Sequence, residues 1–263
     1  MIKIFVIGTG NLGGHLCRRF EAGGDLAFAK AGNQKTPVEI QLTGYYNKSG
    51  ASVPGVSAPR AETLEELPPT DLILIAVPDD KIRDLSEQIP MTDAVVAHTS
   101  GNTSLDALSK HKNRGVFYLP QSFSKSRVPD FSKIPICLEW NTATTGDILE
   151  SLASTMGSQI HHLPSEKRQH LHLAAVFMNN FVNHCYHKSQ QILENGAIDP
   201  AILDALMEET FAKARSLSPA TSQTGPALRN DIKTMNSHLE LLPATDRELY
   251  RVLSNSIQNE FKK

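Results

Sequence analysis

Three glycines near the amino end stand as Gly-x-Gly-x-x-Gly in the turn Gly8-Thr9-Gly10-Asn11-Leu12-Gly13. An apolar stretch from Ile2 to Ile7 runs straight into them, and a helical pattern follows. In that context each glycine has a specific task. Gly8 permits a tight turn out of a strand, Gly10 lets backbone approach a pyrophosphate, and Gly13 lets the helix pack closely on the strand. The helix start offers free N–H groups and a partial positive charge to phosphate. The turn is therefore expected to hold a dinucleotide, the alternative being a glycine turn that is only architectural.

The end of the second strand should select between dinucleotides. An acidic residue there would bind the ribose hydroxyls of NAD. The chain instead carries Asn47-Lys48-Ser49. Lys48 supplies positive charge, and Asn47 and Ser49 supply donors, for a 2′-phosphate. This predicts NADP, with Lys48 as a plain solvated lysine the competing reading. The spacing departs from the usual one of about 20 residues after the glycines, because residues 30–37 push the discriminating position further along.

A second constellation lies on the segment 166–194. At 100° per residue, His172, Asn179 and Asn183 fall within about 40° of one another, flanked by Asn180 and His187. A polar stripe on an apolar helix, facing a cleft, would hold a substrate's oxygens and offer His172 as a general acid. The alternative is that these groups satisfy one another across an interface. In the segment 224–231, Arg229 and Asp231 are expected in the first turns of a helix. There Arg229 could grip a carboxylate or phosphate, or pair with Asp231. Gln121, Ser122, Ser124 and Lys125 follow a strand's carboxyl end, where ligands bind in such sheets. No metal site is expected. His170 and His172 do not share a helical face, and His184 and His187 do but lack an obvious third ligand. Hydrolysis through a nucleophile elbow is disfavoured, since no Gly-x-Ser-x-Gly occurs.

The elements that must position these groups alternate at first. Strands are expected at 2–7, 38–46, 56–58, 71–77, 94–98, 115–119, 134–138 and 159–163, with helices at 11–20 and 144–156 and a loop over 23–37. The near-continuous apolar run 71–77 suits a parallel strand buried on both faces. This alternation predicts an α/β fold with a doubly wound, mostly parallel sheet over residues 1–164. From 165 to 263 the pattern is purely helical. One long helix over 166–194, about 44 Å, is followed by helices at 200–217, 225–241 and 246–261. Residues 171–182 are apolar nearly all round, which predicts a buried helix. A small helical domain has few neighbours to cover it, so a homodimer is expected, the alternative being burial within its own chain.

The 263 residues are 40% hydrophobic and 21% charged with a formal net charge of −2, the composition of an ordinary soluble globular protein. That charge argues against general affinity for nucleic acid or anionic membrane, and no apolar run is long enough to span a bilayer. Cys17, Cys137 and Cys185 are odd in number and far apart, which suits reduced thiols in a cytoplasm. The first strand at Ile2 leaves no room before it for a signal peptide.

Several segments together carry a family resemblance. They are the glycine turn, Ala76-Val77-Pro78-Asp79-Asp80, His98-Thr99-Ser100-Gly101, the segment from Phe117 to Lys125, the segment from His172 to Asn180, and Thr224 to Asp231. Over essentially its whole length the chain resembles the bacterial Rossmann-like proteins of unassigned function that are grouped with deazaflavin-dependent NADP oxidoreductases. It is more distantly similar to pyrroline-5-carboxylate reductase and to the 6-phosphogluconate and 3-hydroxyisobutyrate dehydrogenases. The resemblance implies a dinucleotide across the carboxyl ends of the strands. It places Val77, Pro78 and Asp79 by the ribose and nicotinamide, and Ser100 and Gly101 at the nicotinamide. It also implies that the long helix closes the cleft, usually in a dimer. One departure matters. The hydroxy-acid dehydrogenases carry a proton-transferring lysine four residues before an asparagine of this helix, and here those positions are Ala175 and Val176.

The expected activity is NADPH-dependent reduction, or the reverse oxidation, of a small C=O or C=N compound or of a second redox cofactor such as a deazaflavin. Ser100 and Asn179 would orient the acceptor and His172 would donate the proton. The rival reading is an NADP-binding sensor or scaffold without chemistry, supported by the missing lysine.

Overall fold

The computed structural model describes residues 1–23, 38–156 and 159–261. The expected loop over 23–37, and with it the segment 30–37, lies outside these residues except at Gly23. Two compact units are present, Met1–Asn180 and Phe181–Lys263.

The first unit is built on seven strands, β1 (Ile2–Ile7), β2 (Ile40–Tyr46), β3 (Leu72–Ile75), β4 (Val95–His98), β5 (Arg114–Tyr118), β6 (Ile136–Trp140) and β7 (Ile160–His162). Their spatial order is β2-β1-β3-β4-β5-β6-β7. Every pairing is parallel except β5 with β6. The exception goes with the connection. Residues 119–135 hold a short 3-10 turn at Phe131–Lys133 and no α-helix, whereas parallel crossovers are usually helical. β3 and β4 are buried at every residue, as their largely apolar sequences require, with His98 the polar exception.

Apolar layers cover both faces of the sheet. On one side Ile4, Val6, Leu72 and Leu74 pack with Leu16 and Phe20 of α1 (Asn11–Glu21), and Leu149 and Leu152 of α3 (Ala143–Thr155) join the same core. On the other, Phe5, Ile7, Ile73 and Ile75 pack with Ile82 of α2 (Asp79–Gln88) and with Leu108. This is the doubly wound α/β arrangement expected from the sequence. Residues 56–58, expected as a strand, form none. Ser57 and Ala58 instead donate backbone N–H groups to the Glu21 carboxylate at 2.9 and 3.4 Å, and the nearby sheet contact is a single bridge between Arg60 and Tyr45. Helix α2 escapes a periodicity reading because only Ile82 and Ser86 on it are buried.

The expected long helix is composite. It runs as α4 (Ser165–Ala175), a π-helical turn (Val176–Phe181) and α5 (Val182–Asn195). A π turn takes in an additional residue, so the constant 100° step of an α-helix does not hold across Val176–Phe181. Within its own chain the segment 171–182 is not covered. Phe177 is 62% and Met178 81% exposed, and Leu173, Phe181 and Val182 are exposed too.

Within the second unit, a 3-10 turn (Pro200–Leu203) precedes α6 (Asp204–Ser216), followed by the short α7 (Pro219–Ser222), α8 (Ile232–Leu241) and α9 (Ala244–Glu260). Helix α8 starts later than expected, because Asp231 is its N-cap and accepts from the Thr234 N–H at 3.1 Å. Arg229 and Asp231 therefore precede that helix rather than occupying its first turns. No described helix is long and apolar enough to cross a membrane.

Candidate functional site

The carboxyl ends of β1, β2, β3, β4 and β5 carry the residues singled out in the sequence. Strand order reverses between β1 and β3, and ligands of open α/β sheets bind at such a switch point. Gly8 leaves β1 with φ +92°, a conformation that L side chains rarely adopt. A Cβ there would lie 2.4 Å from the Ala76 carbonyl oxygen, and one on Gly13 would lie 1.9 Å from the Gly8 carbonyl oxygen. Both glycines are thus fixed by backbone crowding between β1, β3 and α1. At Gly10 a Cβ would meet nothing within 4 Å. Gly10 is also the N-cap of α1, with no side chain bonded to the helix N-terminus. The turn is crowded beneath and open above, which fits a pyrophosphate lying against Gly10 and the first N–H groups of α1. Asn11 and Leu12 form the first turn of that helix.

Asn47, at the end of β2, is buried and tied to this turn. Its amide donates to Thr9 Oγ1 and to the Ala51 carbonyl, each at 2.8 Å, and Ser49 Oγ donates to its Oδ1 at 3.1 Å. Asn47 and Ser49 therefore brace the loop that carries Lys48, whose side chain is exposed. Val77 lies under Gly8, its Cγ1 2.6 Å from where a Cβ would stand. Pro78 is the N-cap of α2, and Asp79 opens that helix, both exposed.

The second cluster lies at the ends of β4 and β5. Ser100 is buried, and its Oγ accepts from the N–H groups of Asn102 and Thr103 at 3.0 and 2.9 Å. Beside it Gly101 faces Tyr118 and His172. A Cβ on Gly101 would lie 2.7 Å from Tyr118 Cζ and 2.8 Å from His172 Nδ1. His172 itself is half-buried on α4, with Nδ1 3.5 Å from the Tyr118 hydroxyl. Burial pushes the Tyr118 phenol up to about 12, with Cys137 and Asp79 adding to the rise and Arg168 opposing it.

Asn179 is not brought to this cluster by the expected stripe. It sits exposed in the π-helical turn, where the constant 100° step that aligned it with His172 no longer holds. Asn180 shares that turn, whereas Asn183 and His187 line a cavity of about 550 Å³ in the second unit together with Tyr186, Leu203, Asp204 and Met207. Gln121, Ser122, Ser124 and Lys125 are exposed in the loop after β5. The backbone of that loop is held to α1, since the Ser124 carbonyl accepts from His15 Nε2 at 2.9 Å.

Three residues beneath the cluster were given no role in the site from the sequence. Arg168 is fully buried one turn before His172. It forms an ion pair with Glu139 of β6 and donates to the carbonyls of Ser100, at 3.2 Å, and Thr103. Glu139 also accepts from the Ser165 N–H and hydroxyl that open α4. His98 ends β4 fully buried, with Nδ1 accepting from the Ser100 N–H at 3.2 Å. Burial, and secondarily the Arg168 charge, pushes its ring down to about 3, so it stays neutral. The available signal was Glu139, a carboxylate inside the otherwise apolar strand Ile136-Cys137-Leu138-Glu139-Trp140. A charge there demands a buried partner.

The family model described as "Domain of unknown function (DUF2520)" matches residues 134–257. No protein of curated function matches the chain. Among solved structures, the "putative NADP oxidoreductase" of Bacteroides fragilis is 30% identical, with 98% of each chain covered and a TM-score of 0.83. An imine reductase of Myxococcus stipitatus in complex with NADP+ shares the fold at 14% identity, a TM-score of 0.61, and coverage of 99% of this chain and 93% of that one. So does the 1-pyrroline-5-carboxylate reductase of Streptococcus pyogenes, at 12% identity, a TM-score of 0.58, and coverage of 99% and 98%. Full-length similarity at 30% identity settles the grouping: the chain belongs to the same family as the Bacteroides fragilis protein and carries a DUF2520 domain over residues 134–257.

Proposed function

We propose that the protein is an NADP(H)-dependent oxidoreductase acting on a small carbonyl or imine compound. The observation that carries this reading is the glycine turn, closed by backbone at Gly8 and Gly13 and open at Gly10, on the same sheet edge as His172 and Tyr118. The name given to the Bacteroides relative supports it. Gly10, Asn11 and Leu12 would hold the pyrophosphate through helix N–H groups, Thr9 through its hydroxyl, and Lys48 the 2′-phosphate. Val77, Pro78 and Asp79 would border the ribose and nicotinamide. When bound, NADPH supplies the hydride. The chain's own task is to place the acceptor beside Ser100 and Gly101 and to hold a proton at His172. A deazaflavin as second redox partner belongs to the same reading of the family. Cys17 and Cys137 offer no competing nucleophile, since burial pushes their thiols up to about 12 and about 11.

The helical part, residues 165–263, would pair two copies as a homodimer. Supporting this are exposed apolar side chains on successive elements, among them Met178 at 81%, Ile202 at 70% and Phe211 at 62%, more than a monomer's surface usually gathers. With three free cysteines, two of them buried, the protein suits a reducing cytoplasm.

The test is a screen of cyclic imines, ketones and aldehydes with NADPH, followed at the nicotinamide absorbance, on wild-type protein and His172→Ala. The expected result is an acceptor turned over by wild type and turned over at least a hundredfold more slowly by the variant, with NADPH affinity retained. An active acceptor with unchanged turnover in His172→Ala would remove His172 from the mechanism.

A further inference from the structure

His172 is a useful donor only if its proton sits on the nitrogen that faces the acceptor, and the surroundings of Nδ1 decide this. The Tyr118 hydroxyl lies 3.5 Å from Nδ1, the two rings meeting edge-on with centroids 6.2 Å apart and planes at 76°. Tyr118 ends β5 and is 7% exposed. It keeps its proton, because burial disfavours the phenolate. A phenol donates more readily than it accepts, and the imidazole lone pair is the stronger acceptor of the two.

Two further features hold the pair together. Gly101 sits against both rings, and a Cβ there would stand 2.7 Å from Tyr118 Cζ and 2.8 Å from Nδ1. Any side chain at this position would part them. Arg168, one turn earlier on α4, fixes that helix to the Ser100–Thr103 turn through its guanidinium.

We propose that Tyr118 is a positioning residue that donates its hydroxyl proton to Nδ1 and thereby holds neutral His172 as the Nε2–H tautomer. Resting on the reading that His172 faces the acceptor, this sharpens it. The ring offers Nε2–H, not a lone pair, as a hydrogen-bond donor to the atom that gains charge on reduction, and the proton that completes the product comes from solvent, so the imidazole stays neutral. In this assignment Gly101 is required by the pair, and no dinucleotide contact is needed to account for it.

The tautomer can be read without any substrate. In ring-15N-labelled full-length protein above the histidine titration range, His172 is assigned by the signal lost in His172→Gln. The expected spectrum has Nε2 in the N–H range and Nδ1 in the lone-pair range, shifted upfield by the accepted hydrogen bond. In Tyr118→Phe, Nδ1 should move downfield while NADPH affinity is retained, and Gly101→Ala should reproduce that movement. A proton on Nδ1 in wild type would overturn the proposal, as would an Nδ1 signal that ignores loss of the Tyr118 hydroxyl. Because the spectrum is independent of turnover, an inactive or substrate-less protein bears on the proposed activity and not on the tautomer.

Discussion

Arg168 and Glu139 form an ion pair between helix α4 and strand β6, with the Arg168 side chain completely buried and that of Glu139 16% exposed. The pair links three segments that the chain keeps apart in sequence: the start of α4 at Ser165, the turn from Ser100 to Thr103, and strand β6 at Glu139. A buried guanidinium is tolerated only when its charge and its N–H groups are satisfied, and here two carbonyls and a carboxylate do so. The consequence for function is positional, since His172 lies one helical turn beyond this anchor.

Removing one partner of such a pair leaves an uncompensated buried charge. Glu139→Gln is expected to cost about 3–5 kcal/mol, measured by urea denaturation. The double change Glu139→Gln with Arg168→Met should recover part of that loss. Recovery cannot be complete, because the Ser100 and Thr103 carbonyls then lose their donor. A Glu139→Gln protein as stable as wild type would mean the pair is not closed in solution.

The glycine turn separates crowding from ligand approach. A Cβ at Gly13 collides with the Gly8 carbonyl oxygen at 1.9 Å, whereas a Cβ at Gly10 has open space. Gly13→Ala should therefore lose about 1–3 kcal/mol of stability, as overpacked sites do, along with NADPH binding. Gly10→Ala should keep its thermal midpoint and lose affinity alone. Calorimetry alongside a binding titration distinguishes the two, and equal stability losses would contradict the assignment of an open phosphate face.

Lys48 is exposed beside a braced Asn47 and Ser49. Lys48→Asp should weaken NADPH by about tenfold or more, the worth of one charge-assisted contact, and leave NADH nearly unchanged. Parallel losses for both cofactors would show that Lys48 does not read the 2′-phosphate.

His98 makes stability depend on pH. Its folded ring is pushed down to about 3, against about 6.5 for an unfolded histidine. Between those values the unfolded chain binds the extra proton, so the contribution is fully present above about pH 6.5 and is lost as pH falls toward 3. The slope should approach about 1.4 kcal/mol per pH unit from this residue alone. His98→Asn keeps an acceptor for the Ser100 N–H and should flatten the urea-midpoint profile between pH 6 and 4. An unchanged profile would place the proton uptake elsewhere.

What the sequence disclosed and what it hid follow from range. Strands β1, β3 and β4 were legible because parallel strands buried on both faces write themselves as near-continuous apolar runs, broken here only by Lys3 and His98. The glycine turn was legible because Gly8, Gly10 and Gly13 act within one loop. The polar stripe was misread because a π turn at Val176–Phe181 breaks the helical step, and nothing in a single residue's type announces that. The apolar run around Phe177 is uncovered within its own chain, and composition reports an apolar face without saying what covers it. Arg168, Glu139 and Tyr118 went unnoticed because their meaning is tertiary. The partners of Arg168 lie 29, 65 and 68 residues away.

The central claim is that the sheet edge holds NADP(H). Its most direct test is titration of cofactor-stripped protein with NADPH and NADH, followed by nicotinamide fluorescence. The account predicts micromolar NADPH binding and much weaker NADH binding. Failure of both to bind would show that the turn at Gly8–Gly13 is only architectural, and the oxidoreductase reading would fall with it.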